Sequence, residues 1–318
     1  MATLSDVAAR VGVSKSTVSR ALSRPELVAP ATVRRVRKAA DELNFAVNRA
    51  ASGLVTGRTG VIAIVVPDLD NHFFTPIVVG AQRRAATRQR QLTIAANPLL
   101  TYEDVRDLER LARQVDGLIL AAPLGPDDHV RQICRTRPVV LVDREVAGVR
   151  SVIADAANGF GDLADHLLDV GHRTLAYLGG PAGSWQDAQR TRAIAERAAA
   201  RAELVVLGPM PPTFAAGAAV ADDVLAAGVS AVIPYASQIG LGLAFALGAR
   251  GVLPDDLVVT TESVISTAIG DHRTPTIDVD GSELGTAAMD LLIAELDSPG
   301  ETPLRTMRLP MQVTLPLD

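Results

Sequence analysis

Four polar side chains with helical spacing carry the clearest chemistry in this 318-residue chain. Lys15, Ser16, Ser19 and Arg20 follow i, i+1, i+4, i+5 spacing, so a helix would place them on one face. Lysine and arginine can bond the acceptor edge of guanine, and serine can bond several base edges or a phosphate. A helix N-terminus also attracts phosphate oxygens. This face is suited to nucleic acid, and the alternative is a set of merely solvated charges.

A preceding helix is predicted to support that face. Thr3 and Asp6 form a capping pair at its start, and Gly12 ends it. Its apolar positions follow i, i+3, i+4, i+7 spacing and are Leu4, Val7, Ala8 and Val11.

The second helix begins at Ser14, whose hydroxyl can cap the first turn, and it buries Val18, Ala21 and Leu22. Two short helices joined by a tight turn predict a helix-turn-helix, whose second helix enters the DNA major groove. An ordinary helical hairpin is the alternative that periodicity leaves open. A third helix is predicted after Pro30, with Ala29 in place of a capping side chain. Its apolar stripe is Val33, Val36, Ala40 and Leu43.

Charge separates the N-terminal part from the remainder. Residues 1–58 hold ten basic and four acidic side chains, a net charge of +6, whereas the whole chain carries −5, so the remainder carries −11. A basic module on an acidic body predicts that the small part contacts phosphates and the large part binds something else.

From residue 60 onward, apolar runs alternate with amphipathic stretches. Continuous apolar strands separated by helices indicate parallel sheets covered on both faces, and two such sets predict two doubly wound subdomains in an α/β fold. The predicted strands are 61–66, 92–96, 117–120, 139–142 and 151–154 in the first set, and 174–178, 204–207, 231–233 and 257–259 in the second.

The string D-V-A-x-x-x-G-V-S-x-x-T-V-S-R-x-L at residues 6–22 resembles the DNA-binding headpiece of the lac repressor family of bacterial transcription regulators. Further similarity at 65–74, 115–120, 142–144 and 166–173 extends the resemblance over nearly the whole chain. It implies a headpiece at 1–46, a hinge at 47–59 and a two-lobed, periplasmic-binding-protein-like core at 60–318. Lobe 1 would comprise about 60–156 and 279–306, and lobe 2 about 157–278 and 307–318.

The same resemblance implies a homodimer that binds a near-palindromic DNA operator under control of a sugar, nucleoside or related metabolite. A hinge helix would form only against the partner subunit and the DNA minor groove, although a plain linker is the alternative. The expected DNA-contacting residues are Thr3, Ser14, Lys15, Ser16, Thr17, Ser19 and Arg20 in the headpiece and Asn48, Ala51 and Leu54 in the hinge.

Ligands of open α/β sheets lie at the carboxyl ends of the strands, and the resemblance adds an arginine, Arg190, that bonds effector hydroxyls. The expected effector-binding residues are Phe73, Phe74, Asp143, Trp185, Arg190, Tyr235 and Glu262. The chain departs from the family where Ala236-Ser237 replaces Asn-Asp and where Thr261-Glu262-Ser263 replaces Phe-Asp-Asp. These departures leave the class of ligand open.

Other functions find little support in the sequence. Apolar runs are too short to span a bilayer, and the N-terminus lacks the apolar run of a signal peptide, so a cytoplasmic protein without a membrane partner is expected. One cysteine, Cys134, permits no intrachain disulfide, and the five histidines lack metal-ligand spacing, so no metal or cofactor is expected. Residues 179–184 are a weak match to a phosphate loop. The rival interpretation is a cytoplasmic enzyme that acts on a sugar or nucleotide. We expect instead that the protein is not an enzyme.

Overall fold

The computed structural model describes residues 2–23, 25–43, 45, 58–252, 257–271 and 273–315. The chain forms two compact units, Met1–Thr59 and Gly60–Asp318. We call the first the headpiece and the second the body.

The headpiece contains the three predicted helices. They are α1 (Leu4–Val11), α2 (Lys15–Ser23) and α3 (Pro30–Glu42), with a short 3-10 turn at Pro25–Leu27 before α3. The Thr3 and Asp6 side chains each bond the other's backbone amide, and Gly12 ends α1 at φ +75°, so both predicted boundaries of α1 are confirmed. Ala29 makes no side-chain capping bond at the start of α3.

One small core joins the three headpiece helices. Each helix contributes one fully buried valine to this core, namely Val7, Val18 and Val36. Arg35 on α3 adds a bond from its Nη2 to the carbonyl oxygen of Val11 at 2.5 Å. Because the apolar stripes of α1, α2 and α3 meet here, the opposite faces of these helices remain exposed.

The body begins with alternating strands and helices. Their order is β1 (Val61–Val66), α4 (Phe74–Thr87), β2 (Gln91–Ala96), α5 (Tyr102–Ala112), β3 (Gly117–Ala121), α6 (Asp127–Cys134), β4 (Val139–Val142) and β5 (Arg150–Ala154). These strands pair in parallel, and β3 and β4 are buried along their whole length, as predicted from their continuous apolar sequence.

A second set of alternating elements follows. It consists of α7 (Ala156–Asp169), β6 (Thr174–Leu178), α8 (Trp185–Ala198), β7 (Glu203–Leu207), α9 (Phe214–Ala219), α10 (Ala221–Ala226), β8 (Ala231–Pro234), α11 (Ser237–Ala249), β9 (Val258–Val259), α12 (Ser263–Ile269) and β10 (Thr276–Asp278). Four of its strands form a parallel sheet in the order β7-β6-β8-β9. The predicted fold class is confirmed.

The last elements return to both lobes. They are α13 (Gly281–Asp297), β11 (Thr306–Leu309) and β12 (Gln312–Thr314). Helix α13 packs on α4, and β11 completes a six-stranded lobe 1 sheet in the order β11-β5-β4-β3-β1-β2, whereas β12 pairs with β10 in lobe 2. Because β11 pairs with β5, residues 307–309 lie in lobe 1, three residues past the boundary suggested by the sequence. The chain therefore passes between the lobes three times.

Close helix packing fixes α13 in lobe 1. A Cβ added at Gly285 would lie 1.9 Å from the carbonyl oxygen of Ile77, and one added at Gly80 would lie 2.0 Å from that of Ser282. The two helices therefore cross with backbone against backbone, which only glycine permits at these positions. This contact holds the start of α13, which follows the second passage between the lobes, beside the cleft.

Candidate functional site: a DNA-binding face and a cleft between two lobes

The helix α2 presents its polar face outward, as the sequence predicts. Lys15, Ser16, Ser19 and Arg20 are exposed, while Val18 on the other side is fully buried. Side chains that donate hydrogen bonds or carry positive charge therefore form a surface supported from behind by the headpiece core.

Hydroxyl groups cluster at the start of α2. Ser14 Oγ accepts from the backbone amide of Thr17 at 3.1 Å, which confirms the predicted cap. The same oxygen lies 2.8 Å from both Ser16 Oγ and Thr17 Oγ1. Ser14 and Ser16 are exposed, Thr17 is half-buried, and Thr3 is exposed at the start of α1. The expected hinge contacts Asn48, Ala51 and Leu54 lie outside the described residues.

A cavity of about 460 Å³ lies between the two lobes of the body. Lobe 1 contributes the ends of β1, β3 and β4, and lobe 2 contributes the loops that lead into α8, α11 and α12. Six of the seven expected effector residues line it, namely Phe73, Phe74, Asp143, Arg190, Tyr235 and Glu262. Trp185 does not line it, whereas its neighbour Gln186 on the first turn of α8 does.

Asp143 is held in an unusual backbone conformation at the end of β4. Its φ of +54° lies in the left-handed region, which costs a residue other than glycine about 1 to 3 kcal/mol. Its Oδ1 accepts from the Ala154 amide at 2.8 Å and from Gln186 Nε2 at 3.0 Å. Asp143 Oδ2 and Gln186 Oε1 are buried without a partner. Two buried acceptors on residues that line the cavity therefore lack a donor within the protein.

Burial controls the protonation of this carboxyl group. Loss of solvent raises the pKa of Asp143, while its bond from the Ala154 amide, the charge of Arg190 and the bond from Gln186 oppose that rise. A ligand that donates hydrogen bonds or brings positive charge would favour the ionised form.

Arg190 is stacked between two aromatic rings. Its guanidinium carbon lies 4.5 Å from the Phe160 ring centroid and 4.7 Å from that of Tyr235. Its Nη1 donates to the Tyr235 carbonyl oxygen at 2.5 Å, and the residue is 7% exposed. The side chain is therefore held rigidly, with only the edge of its guanidinium left for a ligand.

The departures from the family pattern meet at the lobe 2 wall. Ala236 precedes α11 and makes no side-chain cap, whereas the Ser237 hydroxyl bonds Glu262. Burial raises the pKa of Glu262, the Ser237 bond lowers it, and the nearby charge of Asp278 raises it again. Asp278 Oδ1 accepts from the Ser263 amide at 3.0 Å. Glu262 and Asp278 thus form a pair of neighbouring carboxyl groups.

The loop at residues 179–184 is held by side chains at the start of α8, the helix that follows it. Asp187 Oδ1 accepts from the Gly180 amide at 2.7 Å and from the Tyr177 hydroxyl at 2.8 Å. Ser184 Oγ accepts from the Asp187 amide and bonds the Tyr235 hydroxyl at 3.0 Å. Because Asp187 already occupies the Gly180 amide, this amide is not presented to a phosphate. The loop instead orients the first turn of α8.

Several cavity residues were missed by the sequence analysis, among them Phe160, Gln186 and Asp278. Phe160 has the helical spacing of ordinary core residues, Gln186 adjoins the Trp185 that was chosen instead, and Asp278 lies on a strand that was not predicted. The signal available for Gln186 was its position two residues after the Ser184 cap. No sequence signal distinguished Phe160.

Other candidate chemistry has structural explanations. Burial raises the pKa of Cys134 to about 11, so its thiol is a poor nucleophile. His172 Nδ1 lies 2.9 Å from Ser230 Oγ, which agrees with a structural role. In the described part of the chain, no cluster of histidine, cysteine and carboxylate side chains could hold a metal, and no helix has the length and hydrophobicity to cross a membrane.

Comparison with known proteins agrees with this arrangement. Residues 3–48 match the bacterial regulatory proteins of the lacI family, and residues 164–315 match a periplasmic binding protein-like domain. The HTH-type transcriptional repressor PurR of Vibrio campbellii (strain ATCC BAA-1116) is 31% identical over 274 residues, which are 81% of each chain. The chain belongs to the lacI family.

Further lacI family members show different degrees of coverage. The maltose regulon regulatory protein MalI of Escherichia coli (strain K12) is 32% identical over 200 residues, 59% of this chain and 56% of MalI, so the alignment spans little more than half of that protein. The transcriptional regulator CelR in complex with cellobiose superposes with a TM-score of 0.70 at 25% identity and covers 99% of both chains. The lac repressor dimer bound to operator has a TM-score of 0.83 at 22% identity, covering 98% and 97%. These relatives are regulators, so the rival interpretation as an enzyme has no support among them.

Proposed function

We propose that this lacI family member is a cytoplasmic transcription repressor that binds a near-palindromic operator as a homodimer and responds to a small molecule in the inter-lobe cavity. The observation that carries the proposal is the exposed polar face of α2 on a buried three-helix core. The cavity in the body supplies the second half of the proposal, because its buried acceptors lack partners within the protein.

The headpiece residues divide into two groups by their position on α2. Lys15 and Ser16 stand on the exposed first turn, which enters the major groove in this motif, so we assign them to base recognition. Arg20 adds a base or backbone contact. Thr3, Ser14, Thr17 and Ser19 provide hydroxyl donors for phosphates and base edges.

The hinge completes the proposal on sequence grounds alone. Residues 48–56 are too few for a stable isolated helix, so DNA and the partner subunit would have to support it. Leu54 would insert between base steps and kink the duplex. Leu54→Ala should then lose most operator affinity and bending in a gel-shift and bending assay, yet retain salt-sensitive binding to arbitrary DNA. Bending equal to that of the wild type would reduce the hinge to a tether.

Exposed apolar side chains support the proposed homodimer. Ile94 on the edge strand β2 is 51% exposed, and Tyr102 at the start of α5 is 74% exposed. In lobe 2, the rings of Phe214 and Phe245 pack in a tilted arrangement with centroids 5.6 Å apart, and they are 47% and 67% exposed. Apolar patches of this kind mark protein contacts. The lac repressor structure described above is itself a dimer on operator.

The effector proposal rests on the cavity walls. Phe73 and Phe74 offer ring surfaces to a sugar or base, while Asp143, Arg190 and Glu262 provide polar contacts. Tyr235 fixes Arg190 and covers one side of the cavity. CelR was solved with cellobiose, which supports a sugar-class effector here.

The decisive experiment compares the full chain with a variant lacking residues 1–58. Retention on immobilised genomic DNA should fall steeply with salt for the full chain, because each neutralised phosphate releases a counterion, and it should vanish in the truncated protein. Footprinting of the retained fragments should reveal a near-palindrome. Equal retention of both proteins would contradict the assignment of DNA binding to the headpiece.

A further inference from the structure

Carboxyl groups outnumber cationic groups among the described side chains that line the inter-lobe cavity. Asp143, Glu262 and Asp278 contribute three carboxyl groups, whereas among the described lining residues Arg190 is the one side chain with a permanent positive charge. His72 also reaches the cavity, where its Nδ1 lies 3.0 Å from Gln238 Nε2. A ligand with a phosphate or carboxylate would therefore meet more carboxyl groups than cationic groups.

Arg190 keeps one donor for a ligand oxygen, its Nε, which is buried without a partner. Its Nη1 is engaged with the carbonyl oxygen of Tyr235, and the rings of Phe160 and Tyr235 cover its two faces. Burial raises the pKa of both Asp143 and Glu262, and the charge of Arg190 opposes that rise in each. Arg190 thus partly balances the protein's own carboxylates.

Two unpartnered oxygens call for a ligand that donates, and Arg190 Nε, also buried without a partner, can donate to a ligand oxygen. Asp143 Oδ2 and Gln186 Oε1 are buried acceptors on residues that are each 2% exposed. A buried acceptor without a donor is unfavourable, and hydroxyl or amine groups of a ligand would satisfy both. Donors are thus needed on the side of the cavity formed by β4 and α8.

The lobe 2 wall presents a place for a cation. Glu262 and Asp278 both line this wall, and the amide of Ser263, the residue after Glu262, bonds Asp278 Oδ1 at 3.0 Å. Burial raises the pKa of Glu262, and the charge of Asp278 adds to that rise. Each is otherwise bonded by a neutral donor, the Ser237 hydroxyl on Glu262 and the Ser263 amide on Asp278. An ammonium group beside both would remove their repulsion and gain charge-assisted hydrogen bonds.

We propose that the effector bears a protonated amine together with hydroxyl groups, as an amino sugar does, with the ammonium held by Glu262 and Asp278 and the hydroxyls by Asp143 and Gln186. This inference rests on the proposed effector function and narrows its ligand class. It separates amino sugars from neutral sugars, which lack the cation, and from sugar phosphates, which bring the wrong charge.

The test measures binding of matched sugars to the full chain by calorimetry and by the rise in Tm. The probes are glucose, galactose and mannose, their 2-amino counterparts and their 6-phosphates, at neutral pH. At least one amino sugar should bind about tenfold or more tighter than its neutral counterpart, and the phosphates should not raise the Tm. Glu262→Gln and Asp278→Asn should each abolish most of that preference while circular dichroism shows an unchanged fold. Glu196→Gln, an exposed carboxyl on α8, should retain it.

Each contrary result overturns the amine assignment in a distinct way. If a neutral sugar bound as tightly as its amino counterpart or more tightly, the proposed regulatory function would stand and only the proposed amine on the effector would be refuted. Binding of a phosphate would refute the charge argument, and failure of every amino sugar to bind at millimolar concentration would refute the ligand class. Loss of DNA retention belongs to the proposed function and is measured separately.

Discussion

In the headpiece, the polar side chains of one helix stand exposed on top of a buried core, whereas in the body the polar side chains are buried at the ends of strands and helices from two lobes. Lys15 and Ser16 are positioned by the single helix α2. Asp143 and Glu262, in contrast, belong to different lobes and lie more than a hundred residues apart in the sequence. The headpiece is thus a preformed surface for a large, charged partner. The cleft is an enclosure, and its unpartnered polar groups specify a small molecule as its ligand.

The largest effect should come from removing the support beneath the exposed face. Val36→Asp places a carboxylate in the small headpiece core, where an unpaired buried charge costs several kcal/mol, about as much as such a core can supply. DNA retention should disappear while the Tm of the body persists in differential scanning calorimetry. Ala31→Asp adds the same charge at an exposed site on α3 and should keep both. Full DNA retention by Val36→Asp would show that the face does not depend on this core.

In the cleft, the largest single loss should follow Arg190→Ala. The substitution removes a charged hydrogen-bonding group, worth about 1.5 to 3 kcal/mol, and leaves the Phe160 and Tyr235 rings without the cation between them. The Tm rise produced by a bound sugar should vanish. Arg192→Ala, exposed on the same helix, should retain the rise, and DNA retention should survive in both variants. Equal Tm shifts in the wild type and Arg190→Ala would remove this residue from the site.

Substitutions on α2 should change which DNA bases the headpiece prefers and leave sugar binding in the cleft unchanged. Replacing Lys15 and Ser16 together should alter the preferred operator half-site by about 1 to 3 kcal/mol per changed base contact. Selection from random DNA sequences measures the preference, and the sugar-dependent Tm rise is the control. An unchanged preference would assign specificity to other residues.

The smallest effect concerns pH and arises only in the cleft. Burial raises the pKa of Glu262 above its ordinary value of 4.5, so the folded ligand-free protein binds this proton more tightly than the unfolded chain does. The resulting stability is full below 4.5 and is lost as pH rises through the raised pKa. Glu262→Gln should therefore gain Tm relative to the wild type as pH increases through that window. A difference that is constant with pH would contradict the shift.

Local rules were sufficient to predict the headpiece from sequence. The Thr3 cap, the Gly12 stop and the Ser14 cap act within four residues, and the structure confirms each of them. The two parallel sheets were also predictable because continuous apolar strands must be covered on both faces. These features depend on sequence patterns that do not require knowledge of distant contacts.

The cleft could be predicted only in part. The rule that ligands lie at strand ends located Asp143 and Tyr235, but it could not decide between Trp185 and Gln186, whose directions depend on how α8 begins. Asp278 enters through a three-residue strand that pairs with the far end of the chain. Contacts of this kind exist only after the chain has passed between the lobes.

Coupling between the cleft and the headpiece is tested most directly by operator affinity measured with and without bound sugar. The full chain and Arg190→Ala should each be titrated with footprinted operator DNA, in the presence and absence of a sugar that raises the wild-type Tm. We expect that sugar to change wild-type operator affinity by about 5-fold to 150-fold and to leave Arg190→Ala unchanged. A sugar that raises the wild-type Tm yet leaves operator affinity the same would show that the two units act independently.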